Sequence, residues 1–460
     1  MNIKNMQEEL GKIVSKRLSE PGLDFFGNPL PPARDREYAV SVELGGESLL
    51  KLYSGYVLIG GVRHPVNAKT PFDVASIAKQ FVACCIAILA CENRLNPDDS
   101  VRVYLPEMKE YADKITVRHC ISMTSGVRNL HHLKYYMSDT ALGDDFNEME
   151  MFFRQEQPEN EPGNFNGYEE CAYEISGHIV ERLTGGIAQF AKERIFEPLQ
   201  MTNTRGDGVM GGGGLYASAE DLVLWHNCLM NRNLPGAPEG LFDMFLSSFT
   251  LNNGELCPYG FGFFYDEHDR DIIWQYGDNV GWQSVIRLDL KKRLSVIVLT
   301  HLDCEPVETA LALENAVIRE YFGLPERANY KTAYFNKPRH MSDTVAVNHR
   351  NHPNAVRQNP LSDNNFEKYL GRYYGYEIDT YFDVVPVGYC FQIKYAGRDD
   401  VEYTNLLDFS EKDKLKMKTR GKWGEKSFPI EFYGDAQKTD FFVLQIGMGH
   451  CYFNKCSVNA

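Results

Sequence analysis

Two residues with catalytic potential, Ser76 and Lys79, stand three positions apart at the start of a long apolar segment. The segment continues through residues 82–90 without Gly or Pro, which predicts a buried helix whose first turn carries both groups. Positions i and i+3 share one helix face, so the hydroxyl and the amine can meet. Apolar surroundings favour a neutral amine, which can take the hydroxyl proton and create a nucleophile. The helix N-terminus would place N–H groups beside a developing oxyanion.

The same two residues have an ordinary interpretation, with Ser76 as a helix cap and Lys79 as a solvated side chain. A Ser-x-x-Lys spacing is expected by chance in a chain of 460 residues, so the motif alone is only a hypothesis. Lys79 lies inside an apolar segment, where a solvated lysine is not expected. This position favours the catalytic interpretation, and the other motifs of the chain must decide.

The elements around this pair predict one antiparallel sheet with helices. A helix is predicted in residues 1–20, and the strands and the closing helix occupy residues 38–43, 48–53, 261–265, 272–275, 282–288, 294–300 and 307–322. Two strands, a long helical stretch, a strand meander and a final helix are typical of an α+β domain. We therefore predict an antiparallel sheet flanked by helices, with a helical lobe, over residues 1–330.

The last third of the chain changes character. Residues 331–365 are polar and interrupted by prolines, which predicts a linker. Its histidines His340, His349 and His352 could bind a metal, but no cysteine or carboxylate cluster accompanies them, so solvated histidines and no metal site are predicted. Residues 366–460 hold short alternating, aromatic-rich segments, which predict a separate small antiparallel β-barrel of the lipocalin type.

Composition excludes several classes of protein. The net charge of −15 and the absence of a basic stripe argue against nucleic acid as a partner. No segment approaches the roughly 18 apolar residues of a membrane span, and residues 1–20 lack the apolar core of a signal peptide. The eleven cysteines are scattered without a C-x-x-C pair, which predicts free thiols and a cytoplasmic location.

Further motifs follow the Ser76 segment in a fixed order. They are Phe72-x-x-Ala75-Ser76-x-x-Lys79-Gln80-Phe81, Leu95-x-Pro97-Asp98-Asp99, Thr124-Ser125-Gly126, Glu161-Pro162-Gly163, Leu215-Tyr216-Ala217-Ser218 and Tyr259-Gly260-Phe261-Gly262. Over roughly residues 35 to 325, this series resembles the serine β-lactamase/penicillin-binding-protein superfamily. It is most similar to the branch of class C β-lactamases, D-aminopeptidases and esterases. The resemblance implies a β-lactamase-like fold and an acyl-enzyme on Ser76, without a cofactor.

The second motif of that family, Tyr-x-Asn, falls on Tyr168. The resemblance implies that this phenol serves as a general base or as the proton donor to the leaving group. The third position of the motif is Glu170 instead of Asn. Glu170 could be an exposed loop acid, an ion-pair partner of Lys79, or a substrate-binding group, and its position favours the last role.

The third motif, Lys or His followed by any residue and Gly, reads Gln275-Tyr276-Gly277. Gln275 can hydrogen-bond a substrate but has no charge to pair with a carboxylate. Gly277 lets a substrate backbone approach the strand. The resemblance implies that the N–H of Asp278 is the second oxyanion donor, beside the N–H of Ser76.

These departures from the family pattern suggest the substrate class. A neutral Gln275 and an acidic Glu170 disfavour a substrate carboxylate and favour a substrate ammonium. We predict an aminopeptidase or amidase for small molecules or short peptides, including those of D-amino acids. The alternatives are a carboxylesterase, a β-lactamase/DD-peptidase-like enzyme, and an inactive scaffold that binds a ligand. A homo-oligomer formed through the C-terminal barrel is a further expectation.

Overall fold

The computed structural model describes most of the first 327 residues and the strands of the C-terminal part. The described ranges are 3–20, 35–59, 61–128, 148–155, 158, 160–208, 210–279, 281–301, 306–327, 370–375, 380–387, 390–395, 405–411, 414–421, 424–434, 439–446 and 449–455. The predicted linker and its three histidines lie outside these ranges.

By their internal contacts, the residues group into two compact units. The first contains Met1–Tyr104, Thr116–Ser125 and Gly163–Lys337, and the second contains Leu105–Ile115, Gly126–Pro162 and Pro338–Ala460. All residues predicted to do chemistry belong to the first unit. The domain boundaries at residues 330 and 366 stay a prediction.

The first unit is built on a six-stranded antiparallel sheet with the order β2-β1-β11-β10-β9-β8. Its strands are β1 Tyr38–Leu44, β2 Glu47–Ser54, β8 Phe264–Tyr265, β9 Ile272–Asn279, β10 Trp282–Asp289 and β11 Leu294–His301. Five short strands lie outside this sheet. The strands β3 Tyr56–Ile59 and β4 Val62–Pro65 pair with each other, and β5 Phe72–Asp73, β6 Arg205–Gly206 and β7 Leu215–Ala217 form a small sheet with the order β5-β7-β6. The predicted antiparallel meander is confirmed.

Nine α-helices lie in the described part of the chain. They are α1 Ile3–Ser19, α2 Ala78–Cys91, α3 Val117–Ile121, α4 Glu148–Arg154, α5 Glu170–Thr184, α6 Ile187–Ala191, α7 Ala219–Asn231, α8 Leu241–Phe245 and α9 Pro306–Glu320. Helices cover the sheet on both faces, because Ser295 of β11 bonds His226 of α7 while Arg287 of β10 pairs with Glu314 of α9. The β11 strand is buried almost throughout for this reason. The mixed β-lactamase-like architecture with an antiparallel sheet and flanking helices is confirmed.

Two local predictions need correction. Ser76 does not lie in the first turn of the α-helix, because a 3-10 turn, Ala75–Ile77, precedes α2. The strand predicted for residues 261–265 is limited to Phe264–Tyr265. Gly262 has a φ of +84°, and a Cβ there would lie 2.4 Å from the backbone N of Gln80, so this segment packs against α2 instead of continuing a strand.

Eight C-terminal strands pair in chain order, each antiparallel to the next, and the last returns to the first to close a barrel. The strands are β12 Gly371–Gly375, β13 Thr380–Val387, β14 Cys390–Tyr395, β15 Asn405–Glu411, β16 Lys414–Gly421, β17 Gly424–Gly434, β18 Thr439–Ile446 and β19 Gly449–Lys455. Its likeness to the lipocalins stays a prediction. Among the described helices of the whole chain, none is long and apolar enough to cross a membrane.

Candidate active site

The Ser76 hydroxyl is presented by a strained turn. A two-residue strand, β5 Phe72–Asp73, pairs with β7, and the N–H of Val74 donates to the Leu215 carbonyl at 3.0 Å. The chain then turns at Ala75, whose φ of +46° is unusual for a residue with a Cβ. Ser76 follows in the 3-10 turn and is only 5% exposed.

Lys79 is fully buried and hydrogen-bonded to Ser76. Its Nζ lies 2.9 Å from Ser76 Oγ and 3.3 Å from the carbonyl oxygen of Gly212, and its exposure is 0%. The interpretation of Lys79 as a solvated side chain is therefore wrong. An amine at hydrogen-bond distance from a hydroxyl can accept its proton when the amine is neutral.

Two tyrosine rings lie beside the Lys79 amine. The Nζ atom is 5.2 Å from the ring centroid of Tyr168 and 5.9 Å from that of Tyr173. Burial raises the pKa of Tyr173 well above its usual value, and its hydroxyl donates to the Ile121 carbonyl at 2.7 Å. Tyr173 is thus held neutral in the core. Tyr168 is half-buried and stacks on Phe264, with its ring centre 5.9 Å away.

Gly211 and Gly212 pack against helix α5. A Cβ on Gly211 would lie 2.6 Å from the Cα of Glu174, and the N–H of Gly212 donates to the Glu174 carboxylate. The Gly212 carbonyl in turn accepts the bond from Lys79. Gly212 therefore supports Lys79 through its backbone and is itself held by Glu174.

Gln275, on β9, contacts the hydroxyl of Tyr168. It is fully buried, and its Nε2 donates to Tyr168 Oη at 3.1 Å and to the Tyr276 carbonyl at 2.9 Å. Its Oε1 accepts a bond of 3.4 Å from the Tyr259 hydroxyl. The amide thus orients the Tyr168 phenol in the free protein, and a direct bond from Gln275 to a substrate stays a prediction.

Gly277 brings β9 against the turn that carries Ser76. A Cβ at this position would lie 2.2 Å from the Val74 carbonyl oxygen and 2.4 Å from Ser284 Oγ. Ser284 Oγ also donates to that same carbonyl at 2.9 Å. The Val74 carbonyl of the protein's own backbone therefore lies where a side chain at position 277 would be, and the approach of a substrate backbone to Gly277 stays a prediction.

Two carboxylates lie close enough to interact at this end of β9. Glu170 is half-buried at the first position of α5, and Asp278 is exposed near the end of β9. Partial removal from water raises the pKa of Asp278, and the negative charge of Glu170 adds to this rise. Hydrogen bonds from the side chains of Tyr276 and Gln283 oppose the rise. Two acidic side chains therefore influence each other at this end of β9.

The alternative that Glu170 pairs with Lys79 finds no support. Both residues are described, and no ion pair within 4.0 Å joins them, whereas Lys79 bonds Ser76 and Gly212. Glu170 is half-buried, so it is not the fully exposed loop acid of the other alternative.

Three polar residues of the site were missed by sequence reasoning: Asp73, Glu174 and Asn279. The Asp73 carboxylate accepts bonds from the Ala75 N–H at 2.9 Å and from Asn279 Nδ2 at 2.7 Å. Asp side chains often accept a hydrogen bond from the backbone N–H two residues later, and this pattern could have identified Asp73. Glu174 lies one helical turn after Glu170, and this spacing could have identified it.

No group of three or more metal-binding side chains occurs in the part of the chain that the structure describes. The donor set at the site is one hydroxyl, one amine and one phenol, with carboxylates at the rim. This set suits acyl transfer through a serine nucleophile.

Known proteins share this fold and these motifs. The family model described as Beta-lactamase matches residues 35–318, more than half of the chain. A D-aminopeptidase of Brucella canis is 23% identical over 356 residues, covering 68% of this chain and 66% of the relative. The chain thus spans slightly less than two thirds of that relative's length.

Two solved structures are similar in fold. The octameric penicillin-binding protein homologue from Pyrococcus abyssi aligns with a TM-score of 0.55 at 19% identity, covering 99% of this chain and 100% of that one. A class C β-lactamase mutant aligns with a TM-score of 0.53 at 14% identity, covering 68% of this chain and 96% of that one. With the family model matching most of the first unit and the fold agreeing, the chain belongs to the β-lactamase family of serine hydrolases.

Proposed function

We propose that this protein is an aminopeptidase or amidase that forms an acyl-enzyme on Ser76. Its substrates are small amides or short peptides with a free amino group, including those of D-amino acids. The single observation that carries the proposal is the 2.9 Å contact between Ser76 Oγ and the buried Lys79 Nζ. A buried lysine bonded to a serine at a strained turn has no evident structural purpose, and it is the arrangement that nucleophilic catalysis requires.

The chemistry follows from the positions of the three side chains. Lys79 takes the proton of Ser76 as Oγ bonds the substrate carbonyl carbon, and the backbone N–H groups of Ser76 and Asp278 stabilise the oxyanion. As the C–N bond breaks, Tyr168 gives a proton to the leaving amine and recovers one from Lys79. A water molecule then attacks the ester by the reverse sequence and releases the acid, so that Ser76 regains its proton.

Substrate selection in this proposal rests on Glu170. Its carboxylate would accept a charge-assisted hydrogen bond from a substrate ammonium, a contact worth about 1.5–3 kcal/mol. The presence of a second acidic side chain, Asp278, close enough to interact with Glu170 supports this choice, because a substrate carboxylate would meet like charge there. The similarity to D-aminopeptidases supports an amine-terminated substrate as well.

Carboxylesterase and β-lactamase/DD-peptidase activities are the competing reactions at the same serine. An inactive ligand-binding scaffold is the competing function of another class. The test that separates catalysis from binding is intact-mass spectrometry after incubation with a fluorophosphonate or an activated acyl ester. We expect one adduct on Ser76 in the wild type and none in Ser76→Ala, and an unmodified wild type would support the scaffold.

The substrate class is tested by comparing an amino-acid amide with its N-acetyl analogue. The wild type should favour the free amine in kcat/KM by roughly ten- to a hundred-fold, the factor that follows from the contact energy above. Glu170→Gln should lose this preference because the amide cannot neutralise an ammonium. The control is Glu239→Gln, which removes the same charge from an exposed loop before α8.

An unchanged preference in Glu170→Gln, together with a shifted pH–rate profile for both substrates, would show that the carboxylate tunes the catalytic groups. A preference for the acetylated analogue would contradict selection of a free amine, and turnover of a neutral ester without turnover of any amide would favour the esterase. A preference for carboxylate-terminated amides would favour the DD-peptidase-like activity.

Assembly is part of the proposal, with the C-terminal barrel as the contact between copies of the chain. The similar protein from Pyrococcus abyssi is described as octameric, and this supports a homo-oligomer here. Multi-angle light scattering of the full chain tests it. A monomeric mass at micromolar concentration would remove this part of the proposal and leave the chemistry at Ser76 untouched.

A further inference from the structure

Asp73 is a buried carboxylate with no part in the chemistry described above. It ends β5 two residues before the Ala75 N–H, and it is 7% exposed. One oxygen accepts from the Ala75 N–H at 2.9 Å, and the other accepts from Asn279 Nδ2 at 2.7 Å. A single carboxylate therefore joins the turn that presents Ser76 to the end of β9, next to Asp278.

The turn needs such support because its backbone is strained. Ala75 adopts a φ of +46°, which a residue with a Cβ keeps only where its surroundings fix the backbone. The bond from the Ala75 N–H to Asp73 constrains this residue directly. Loss of that bond would let the turn relax and move the Ser76 hydroxyl.

A second set of contacts holds the same turn at the Val74 carbonyl. The Val74 carbonyl accepts from Ser284 Oγ at 2.9 Å and lies directly against Gly277. These contacts join Val74, the residue after Asp73, to Gly277 of β9 and to Ser284 of β10. The Asp73–Asn279 bond reaches β9 two residues after Gly277, on the other side of Asp278. Two attachment points set the orientation of the turn relative to the strand, which one point cannot do.

We propose that Asp73 is a positioning residue that sets the separation of the two oxyanion donors, the N–H groups of Ser76 and Asp278. This inference rests on the proposed acyl-enzyme chemistry at Ser76. Oxyanion donors act only when they are held at the place where the charge develops, so a small shift of one of them reduces the rate and leaves substrate binding nearly unchanged.

The hydrogen-bond pattern gives a specific test. Both partners of Asp73 are donors, so Asp73→Asn keeps one acceptor and turns its amide N–H₂ toward the N–H₂ of Asn279. The exchange Asp73→Asn with Asn279→Asp restores both bonds, because the new amide donates to the new carboxylate. The amide oxygen at position 73 still accepts from Ala75.

The readout is the rate of Ser76 acylation by a neutral activated ester, followed by mass spectrometry at saturating and subsaturating ester. We expect Asp73→Asn to lower the limiting rate on the order of 10- to 100-fold, with little change in the half-saturation concentration. The exchanged double variant should recover to within about three-fold of the wild type, as expected when two neighbouring substitutions are strongly coupled. Asn279→Ala, which leaves Asp73 and the Ala75 bond in place, should show a smaller loss.

Asp221→Asn is the matched control for a buried carboxylate. Asp221 is 1% exposed and accepts bonds from Asn203 and Thr204 on a different loop. The Asp221→Asn variant should have a lower midpoint of urea unfolding and an unchanged acylation rate. If Asp73→Asn fails to fold, Asn279→Ala and the exchanged double variant carry the same comparison.

Two outcomes would overturn the inference while Ser76 remains a working nucleophile. One is a folded Asp73→Asn that is acylated at the wild-type rate. The other is an exchanged double variant that regains wild-type unfolding stability but no acylation rate. A wild type that is not acylated at all would overturn the proposed function, and the inference with it.

Discussion

The turn that carries Ser76 and the last residues of β9, 275–279, show two ways in which the amino-acid sequence brings side chains together in a site. Ser76 and Lys79 belong to one short stretch, and their 2.9 Å contact follows from a spacing of three residues. Gln275 instead meets Tyr168, which is 107 positions away in the chain, and that bond exists only because β9 and the segment before α5 are packed together. Local spacing therefore identifies the first pair, while the second pair depends on the assembled fold.

The two regions also differ in what a substitution changes. On the turn, Ser76 and Lys79 are themselves the groups that we propose to react. On β9, Gln275 and Gly277 support such groups, through a hydrogen bond to Tyr168 and through close packing on Val74. Substitutions on the turn should abolish the reaction. Substitutions on β9 should displace the reacting groups and lower the rate.

The largest effect is expected on the turn. Ser76→Ala should abolish acylation, and Lys79→Met should lower kcat on the order of 10²–10⁴-fold, the usual contribution of a general base. Both variants should fold, because an apolar side chain in place of the fully buried Lys79 removes a desolvated amine. Single-turnover kinetics with an activated ester measure the loss, and Lys192→Met, on the exposed surface, is the control. Turnover retained in Ser76→Ala would contradict the assignment of the nucleophile.

A smaller effect is expected on β9 from Gly277→Ala. The new Cβ would lie 2.2 Å from the Val74 carbonyl oxygen, so the turn and the strand must separate. A displacement of this kind should lower kcat on the order of 10²-fold, since misplacement by about 1 Å has that effect. Gly11→Ala is the control, because no atom lies within 4 Å of a Cβ there and α1 should become slightly more stable. Full activity in Gly277→Ala would mean that the close approach has no role in alignment.

A still smaller effect is expected from Gln275→Leu, which removes the donor to Tyr168 and keeps a buried side chain of similar size. The bond stabilises negative charge on the phenol oxygen, and its loss should reduce kcat about ten-fold, in line with about 1.5 kcal/mol for a bond to a charged group. The pH–rate profile should shift, whereas the affinity for a neutral substrate should not. A rise in KM without a change in kcat would instead support the predicted direct contact between Gln275 and the substrate.

No effect on acylation is expected from His226→Gln, because this buried histidine lies outside the site and contributes only to stability. Burial lowers the pKa of His226 to about 3, from 6.5 for an ordinary histidine. The unfolded chain therefore binds a proton that the folded chain does not, and stability falls as the pH drops from about 6.5 toward 3. At pH 5 this should cost about 2 kcal/mol of unfolding free energy. Urea unfolding of the wild type and of His226→Gln at pH 7 and pH 5 should show a weaker pH dependence in the variant, and equal slopes would contradict this account.

Much of the fold could be predicted because hydrophobic pattern and turn residues are local. Strands β1, β2, β10 and β11 and helix α9 lie within two residues of the predicted bounds. The strand predicted for residues 261–265 is three residues too long, because the packing of Gly262 against Gln80 is a tertiary contact that no local pattern reveals. The same reason explains why Asn279 was missed: its importance depends on Asp73, which is 206 positions away.

By itself, the sequence determined the family and the sheet architecture and predicted that Ser76 and Lys79 meet, since these depend on spacing within single elements and on ordered motifs. Only the tertiary structure decided that Gln275 supports Tyr168 from a fully buried position, and that Glu170 interacts with Asp278 and forms no ion pair with Lys79. It also decided that Asp73 joins the turn to the strand. Hydrogen bonds and electrostatic interactions act over a few ångströms, and distances between residues far apart in the chain are fixed only when the elements pack.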